Sequence, residues 1–237
     1  MKLSPLFAAV LAPLLPASTL ASSAYVFTPW KVSGTQSFQS ISFPFSGIRF
    51  AVGYTYSHQF PYLYGVGYSE AGFEPRPDVD GKPTLRFSIS TIMSGTATSD
   101  SNCQLTSNGV RCSVEVSAPF SDSFTLEVIN NGGTTWTAAL VDTTTGVRGR
   151  VHIGTYTLPT GAGDIRGAGR GVLFYEWEGE GDHPCSELPY TQVTFGNPVV
   201  PDGVGSIVGP VDLFDCAGDV KYKTERTGEG LKVELGL

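Results

Sequence analysis

The chain has 237 residues and a formal net charge of −7, from 15 Lys+Arg against 22 Asp+Glu. Aromatic residues at 11% exclude a disordered chain, while 29 glycines and 16 prolines favour strands and turns over helices. The acidic balance argues against nucleic acid or an anionic membrane as partner, since both require a basic footprint, and leaves neutral glycans open.

The N-terminus reads Met1-Lys2-Leu3, then the apolar run Phe7 to Leu15, then small residues at Ala17-Ser18-Thr19-Leu20-Ala21. One positive charge, a short apolar core and small residues predict a secretory signal peptide over 1–21. Cleavage is expected after Ala21, with Ser23 or Ala24 as alternatives. The run is broken by Pro13 and Pro16 and is too short to span a bilayer of ~30 Å. Residues Lys232–Leu237 form no hydrophobic tail, so no lipid anchor is expected. The remaining residues, 22–237, match the length of one sandwich or barrel domain.

Beyond the signal, period-two alternation recurs. It runs through Ile48-Phe50-Val52-Tyr54-Tyr56, Leu85-Phe87-Ile89, Val110-Cys112-Val114-Val116, Phe124-Leu126-Val128, Trp136-Ala138-Leu140 and Val151-Ile153. Each run predicts a strand with one face toward a core. Turn signals lie between them at Asp80-Gly81, Asn108-Gly109, Asn131-Gly132 and Thr145-Gly146. Residues 84–157 therefore read as an antiparallel meander. The fold class is all-β, an antiparallel β-sandwich or jelly roll. Residues 69–83 and 159–170, rich in Pro and Gly, read as long loops.

The cysteines are Cys103, Cys112, Cys185 and Cys216, an even count after a signal peptide, which predicts disulfides. Asn108-Gly109 would fold a hairpin that brings Cys103 to Cys112, leaving Cys185 for Cys216. The spacings are not those of a zinc site.

Three groups of residues could carry chemistry. Glu176 to His183 is the densest polar cluster. On a strand over 172–178, Glu176 and Glu178 share a face, opposite Tyr175 and Trp177. Paired carboxylates suit glycoside hydrolysis, with Glu127 or Glu115 as other partners of Glu176. Carboxylates beside glycines also suit Ca²⁺, the one candidate cation in a chain otherwise expected to need no cofactor. The plain alternative is a solvated strand end. The aromatic set Tyr54, Tyr56, Tyr62, Tyr64 and Tyr68, with Trp177, could form a platform on which sugar rings stack. Five buried hydroxyls would each need a partner, so at least two of these tyrosines are expected to keep theirs exposed near 69–83. Of the histidines, His152 could serve as a base beside Tyr and Arg. Sandwich-fold glutamic peptidases use a Gln and a Glu, which Glu176 could supply with Gln36, Gln39 or Gln59; fold class is the sole basis for that pairing.

The segments Trp136 to Asp142, Thr145-Gly146, Ile153-Gly154-Thr155, Phe174-Tyr175-Glu176-Trp177, Cys185 to Tyr190 and Val193 to Pro198 together resemble a family of secreted β-sandwich domains. The resemblance covers residues 84–198. It implies a sandwich fold and an extracellular setting and implies no reaction. The reading that follows is a secreted module that binds an extracellular ligand, foremost carbohydrate, without turnover. A carbohydrate-active enzyme built around Glu176 and a secreted interaction or effector protein are the alternatives.

Overall fold

The computed structural model describes residues 20–236, leaving out 22, 35–36, 65–66, 118–122, 143–148, 178–182, 209–210, 215 and 217–220. The strands in chain order are β1 (Leu20–Ala21), β2 (Ser23–Val32), β3 (Ser37–Phe38), β4 (Ser40–Arg49), β5 (Tyr54–Pro61), β6 (Tyr68–Val79) and β7 (Lys82–Ile92). Then come β8 (Cys103–Thr106), β9 (Gly109–Ser117), β10 (Phe124–Gly132), β11 (Thr135–Asp142), β12 (Arg150–Thr157), β13 (Ile165–Arg166) and β14 (Ala168–Glu176). The last are β15 (His183–Pro184), β16 (Thr191–Gly196), β17 (Val199–Val200), β18 (Gly203–Ile207), β19 (Asp212–Phe214), β20 (Tyr222–Arg226) and β21 (Gly230–Leu235), with a 3-10 turn at Cys185–Glu187.

Apart from two short ribbons, β1 with β15 and β3 with β13, the strands form two facing antiparallel sheets. The first runs β8–β9–β7–β6–β5–β14–β2, with β18 and β19 along the far side of β2. The second runs β12–β11–β10–β4–β16–β21–β20, with β17 beside β4. The β17–β18 hairpin carries the chain from one sheet to the other. Alternation decides what faces the sandwich interior. From β5 it is Tyr54, Tyr56, His58 and Phe60, all 1% exposed or less. His58 and Phe60 meet Phe43 of β4 across the core, and His58 also meets Phe45 of β4 and Phe195 of β16. Thr55, Ser57 and Gln59 of β5 are left to the outward face.

The all-β sandwich expectation holds, and so do both disulfides. Cys103–Cys112 joins opposed residues of the β8–β9 hairpin, and Cys185–Cys216 spans 31 residues. The sequence reading errs in four places, each for a local reason. The run from Ile48 to Tyr56 is two strands, because the chain turns between sheets at residues 50–53. Gly53 makes the corner with φ of 94°, and a Cβ there would lie 2.6 Å from the Tyr175 ring. Residues 69–83 are no loop: they form most of β6 and its hairpin with β7, turned by Asp80 and Gly81 at positive φ. Past Phe73, β6 has lost β5 as a neighbour and pairs with β7 alone. Pro75 and Pro77 are tolerated there because a one-sided strand has spare N–H positions. The 84–157 stretch is split, β7 to β9 lying in one sheet and β10 to β12 in the other. Residues 165–170 belong to β13 and β14, which shortens the second loop. The Thr145-Gly146 turn lies outside the described residues.

A hydroxyl cluster crosses the core. Tyr62 OH lies 2.9 Å from both Ser69 Oγ and Tyr156 OH, and Ser69 Oγ lies 2.7 Å from Thr91 Oγ1. All four side chains are buried. Tyr62→Phe would deprive two buried hydroxyls of a partner, which costs about 1–3 kcal/mol. Urea unfolding should show it as a lower midpoint at unchanged slope. A midpoint equal to the parent's would mean the cluster adds no stability.

Candidate functional site

The outward face of the first sheet carries a groove of about 350 Å³. Its floor is built from cross-strand rows. One row reads Arg170–Gln59–Glu70–Ser90–Arg111 across β14, β5, β6, β7 and β9. The next reads Val172–Ser57–Gly72–Ser88–Ser113. Small side chains in this second row make the depression. Gly72 is required at its centre, because a Cβ would lie 2.5 Å from both Ser57 Cβ and the Tyr56 carbonyl. Two further depressions continue the groove along the strands. One is reached past Thr55, Glu74 and Phe174 toward Glu176 and Trp177, the other past Gln59 and Tyr68 toward Pro61 and Arg170. From Gly53 to Pro61 the trough follows β5 for roughly 26 Å at the strand rise.

The polar groups of the floor are tied together. Arg170 Nε donates to Gln59 Oε1 at 2.8 Å, Gln59 Nε2 donates to Glu70 Oε2 at 2.9 Å, and Ser57 Oγ donates to Glu70 Oε1 at 2.6 Å. Arginine has donors alone, which fixes the orientation of the Gln59 amide. The Arg170 guanidinium lies 4.1 Å over the Phe27 ring. Beside it Tyr25 stacks on Phe174 with centroids 4.6 Å apart, forming an aromatic wall. Toward the other side, Arg86 bridges Glu74 at 3.1 Å and Glu115 at 2.9 Å, and Arg76 lies within 4 Å of both carboxylates. Partial burial, and then the nearby Glu70 carboxylate, push the Tyr68 hydroxyl above its ordinary range against the pull of Arg170.

The sequence-predicted residues are scattered. Tyr54, Tyr56 and Tyr62 are core residues, so they form no surface platform. Their hydroxyls are satisfied inside, Tyr54 by the Pro189 carbonyl at 2.9 Å and Tyr56 by Thr191 Oγ1 at 2.6 Å. Two tyrosines of the five stay accessible: Tyr64, 78% exposed, and Tyr68, in the groove. They do not share a strand face, because Tyr64 sits in the β5–β6 connection. Glu176 ends β14 at one end of the groove, beside Trp177, which stacks on His183. Glu178 and the rest of the acidic run to Asp182 lie outside the described residues. Among the described residues no three His, Cys, Asp or Glu side chains gather in a cation-sized site.

Neither of the two other carboxylates offered as partners of Glu176 joins it. Glu115 pairs with Arg86, and Glu127 pairs with Arg150 on the second sheet. Gln59 faces Arg170, six residues along β14 from Glu176 and thus roughly 20 Å away at the strand rise. Gln39 lies beside β10, and Gln36 is outside the described residues. His152 pairs with Asp100, not with a tyrosine and an arginine. Partial burial opposes the charged Asp100 carboxylate, but the Asn102 N–H, the His152 ring and the Thr155 N–H hold it below the usual range.

Glu70, Ser57, Arg170, Tyr25 and Phe174 were not singled out by the sequence. A signal for some of them was present. Once Tyr54, Tyr56 and His58 are assigned to the core, Thr55, Ser57 and Gln59 must face out. Leu85-Phe87-Ile89 likewise sends Arg86, Ser88 and Ser90 outward.

No protein-family model matches the chain, and no curated protein matches it. Among solved structures it is similar to a scytalido-glutamic peptidase bound to a peptide-based transition-state analogue, with a TM-score of 0.46 and 12% identity over 92% of this chain and 98% of that one. It is also similar to SCP-B, a member of the eqolisin family of peptidases in complex with the tripeptide Ala-Ile-His, with a TM-score of 0.41 at 12% identity over the same shares. Overlap at that level assigns no function.

Proposed function

We propose that the protein is an extracellular module that holds an extended glycan in the groove of the first sheet without turning it over. One observation carries this reading: an aromatic wall, Tyr25 on Phe174, stands beside a row of fixed polar side chains over a floor of small residues. A sugar ring has an apolar C–H face and a polar rim. The wall suits the first, and Glu70, Gln59 and Arg170 suit the second. The length of the trough suits a chain more than a single small molecule. The two disulfides, the signal-like N-terminus and the resemblance to secreted sandwich domains support the extracellular setting.

Turnover by the two carboxylates of β6 is disfavoured by their spacing. Glycoside hydrolysis needs two, about 5–9.5 Å apart. Glu70 and Glu74 are four residues apart on one strand, roughly 13 Å at the backbone. Glu74 is also neutralised by Arg86.

The groove can be closed by one substitution. Ser88→Phe would place a ring on the floor between Gly72 and Ser113 without touching the core. Glycan-array screening followed by titration calorimetry should give at least about a tenfold loss of affinity, equivalent to 1.4 kcal/mol. The melting temperature should stay close to the parent's. Parental binding by this variant, or no glycan retained by the parent, would refute the reading.

A further inference from the structure

We infer that the Arg170 end of the groove is a carboxylate-reading subsite, so that the glycan it takes carries uronic acid residues. This rests on the groove being the glycan site. The depression there is formed by Gln59, Phe60, Pro61, Tyr68, Gly169 and Arg170, and no Asp or Glu lines it. Its one charge is the guanidinium.

The arginines of this face divide into two kinds. Arg86 is spent on Glu74 and Glu115, and Arg76 lies beside the same pair. Arg170 has no carboxylate partner among the described residues. One of its five N–H donors goes to Gln59 Oε1, and its plane is set over the Phe27 ring at 4.1 Å. A guanidinium held by stacking and by one neutral hydrogen bond is pre-organised and keeps a forked edge for a planar acid. Tyr68 borders the same depression and adds a hydroxyl donor. Glu70 lies two strands from Arg170, roughly 10 Å at the backbone spacing. Its oxygens already accept from Ser57 and Gln59. A sugar acid at the Arg170 end is therefore nearer the cation, and hydroxyl groups fall to the centre of the floor.

The test uses an oligogalacturonate and its methyl ester, which has nearly the same shape without the charge. Titration calorimetry compares the parent, Arg170→Gln and Lys223→Gln, the last an equal change of charge on β20 of the other sheet. The parent should bind the acid roughly ten- to a hundredfold more tightly than the ester, the range of a charge-assisted hydrogen bond. Arg170→Gln should erase that preference and leave the ester unchanged, while Lys223→Gln should keep it. Equal binding of acid and ester by the parent, or a preference that survives Arg170→Gln, overturns the subsite. Binding of a neutral glycan alone overturns the subsite and spares the groove reading. Failure to bind any glycan overturns both.

Discussion

Acidification from about pH 7 to about pH 3.5 is expected to remove roughly 4 kcal/mol of stability through one residue, His58. Its ring is fully buried and stacks on Phe43 at 4.5 Å, with Phe45, Phe195 and Trp30 around it. None of these neighbours can carry charge, and neither ring nitrogen has a protein partner. Burial alone lowers the His58 pKa to about 3. The unfolded chain, with an ordinary value of about 6.5, therefore takes up a proton that the folded one refuses. The stability contributed by neutral His58 is complete above about pH 6.5 and is lost as the pH falls toward the folded value.

His58→Leu should flatten this dependence. At neutral pH it should be no less stable than the parent, because it removes two unsatisfied nitrogens from an apolar site. Urea midpoints for both proteins between pH 7 and 3.5 decide the matter. The carboxylates titrate in both, so the difference between the two curves isolates His58. Parallel curves would sink the assignment.

The sequence made the inner half of the sandwich legible and left the outer half obscure, for a physical reason. Burial imposes one strong rule, that bulky apolar side chains recur every second residue. Leu85-Phe87-Ile89, Phe124-Leu126-Val128 and Trp136-Ala138-Leu140 obey it and are strands. The same rule misleads for tyrosine. Tyr54, Tyr56 and Tyr62 suit a sugar platform as well as a core until it is known that Pro189, Thr191, Ser69 and Tyr156 satisfy their hydroxyls. Those partners are set by tertiary packing, and for Tyr54 and Tyr56 they lie 135 residues away.

The groove was hidden differently. Glu70 and Gly72 stand in a segment whose prolines suggest a loop. Only the pairing of β6 with both β5 and β7 up to Phe73, and with β7 alone beyond it, shows why a strand can hold Pro75 and Pro77. Arg170 meets Gln59 and Glu70 because β14, more than a hundred residues further along the chain, shares a register with β5 and its neighbour β6. No spacing in a single chain reports that. The cysteines were easier, since an Asn-Gly turn places Cys103 opposite Cys112 and leaves Cys185 and Cys216 to pair.

Removal of the longer disulfide should be the costlier of the two and should reach the groove. Chain-entropy reasoning gives about 3–4 kcal/mol for the Cys185–Cys216 separation of 31 residues, against nearer 3 kcal/mol for the Cys103–Cys112 separation of 9. Cys185 and Cys216 are both buried in the core, where Cys112 is buried and Cys103 only partly so, so alanine at both positions adds somewhat more lost packing to the greater lost constraint. The bridge pins the start of the segment 185–191. In that segment the Pro189 carbonyl accepts from Tyr54, and the Thr191 hydroxyl bonds Tyr56 while donating to the Arg49 carbonyl. Tyr54 and Tyr56 are the inward side chains of β5, the strand whose outward side chains, Ser57 and Gln59, hold Glu70. Loosening 185–191 therefore loosens the back of the strand that forms the groove floor. The Cys185→Ala/Cys216→Ala protein should unfold at a lower urea midpoint than Cys103→Ala/Cys112→Ala. If the groove holds a glycan as proposed, it should also bind that glycan more weakly under conditions where it is still folded, whereas the β8–β9 variant, at the edge of the sheet, should bind like the parent. The reverse order of midpoints, or equal binding by both variants, would show that the segment does not support β5.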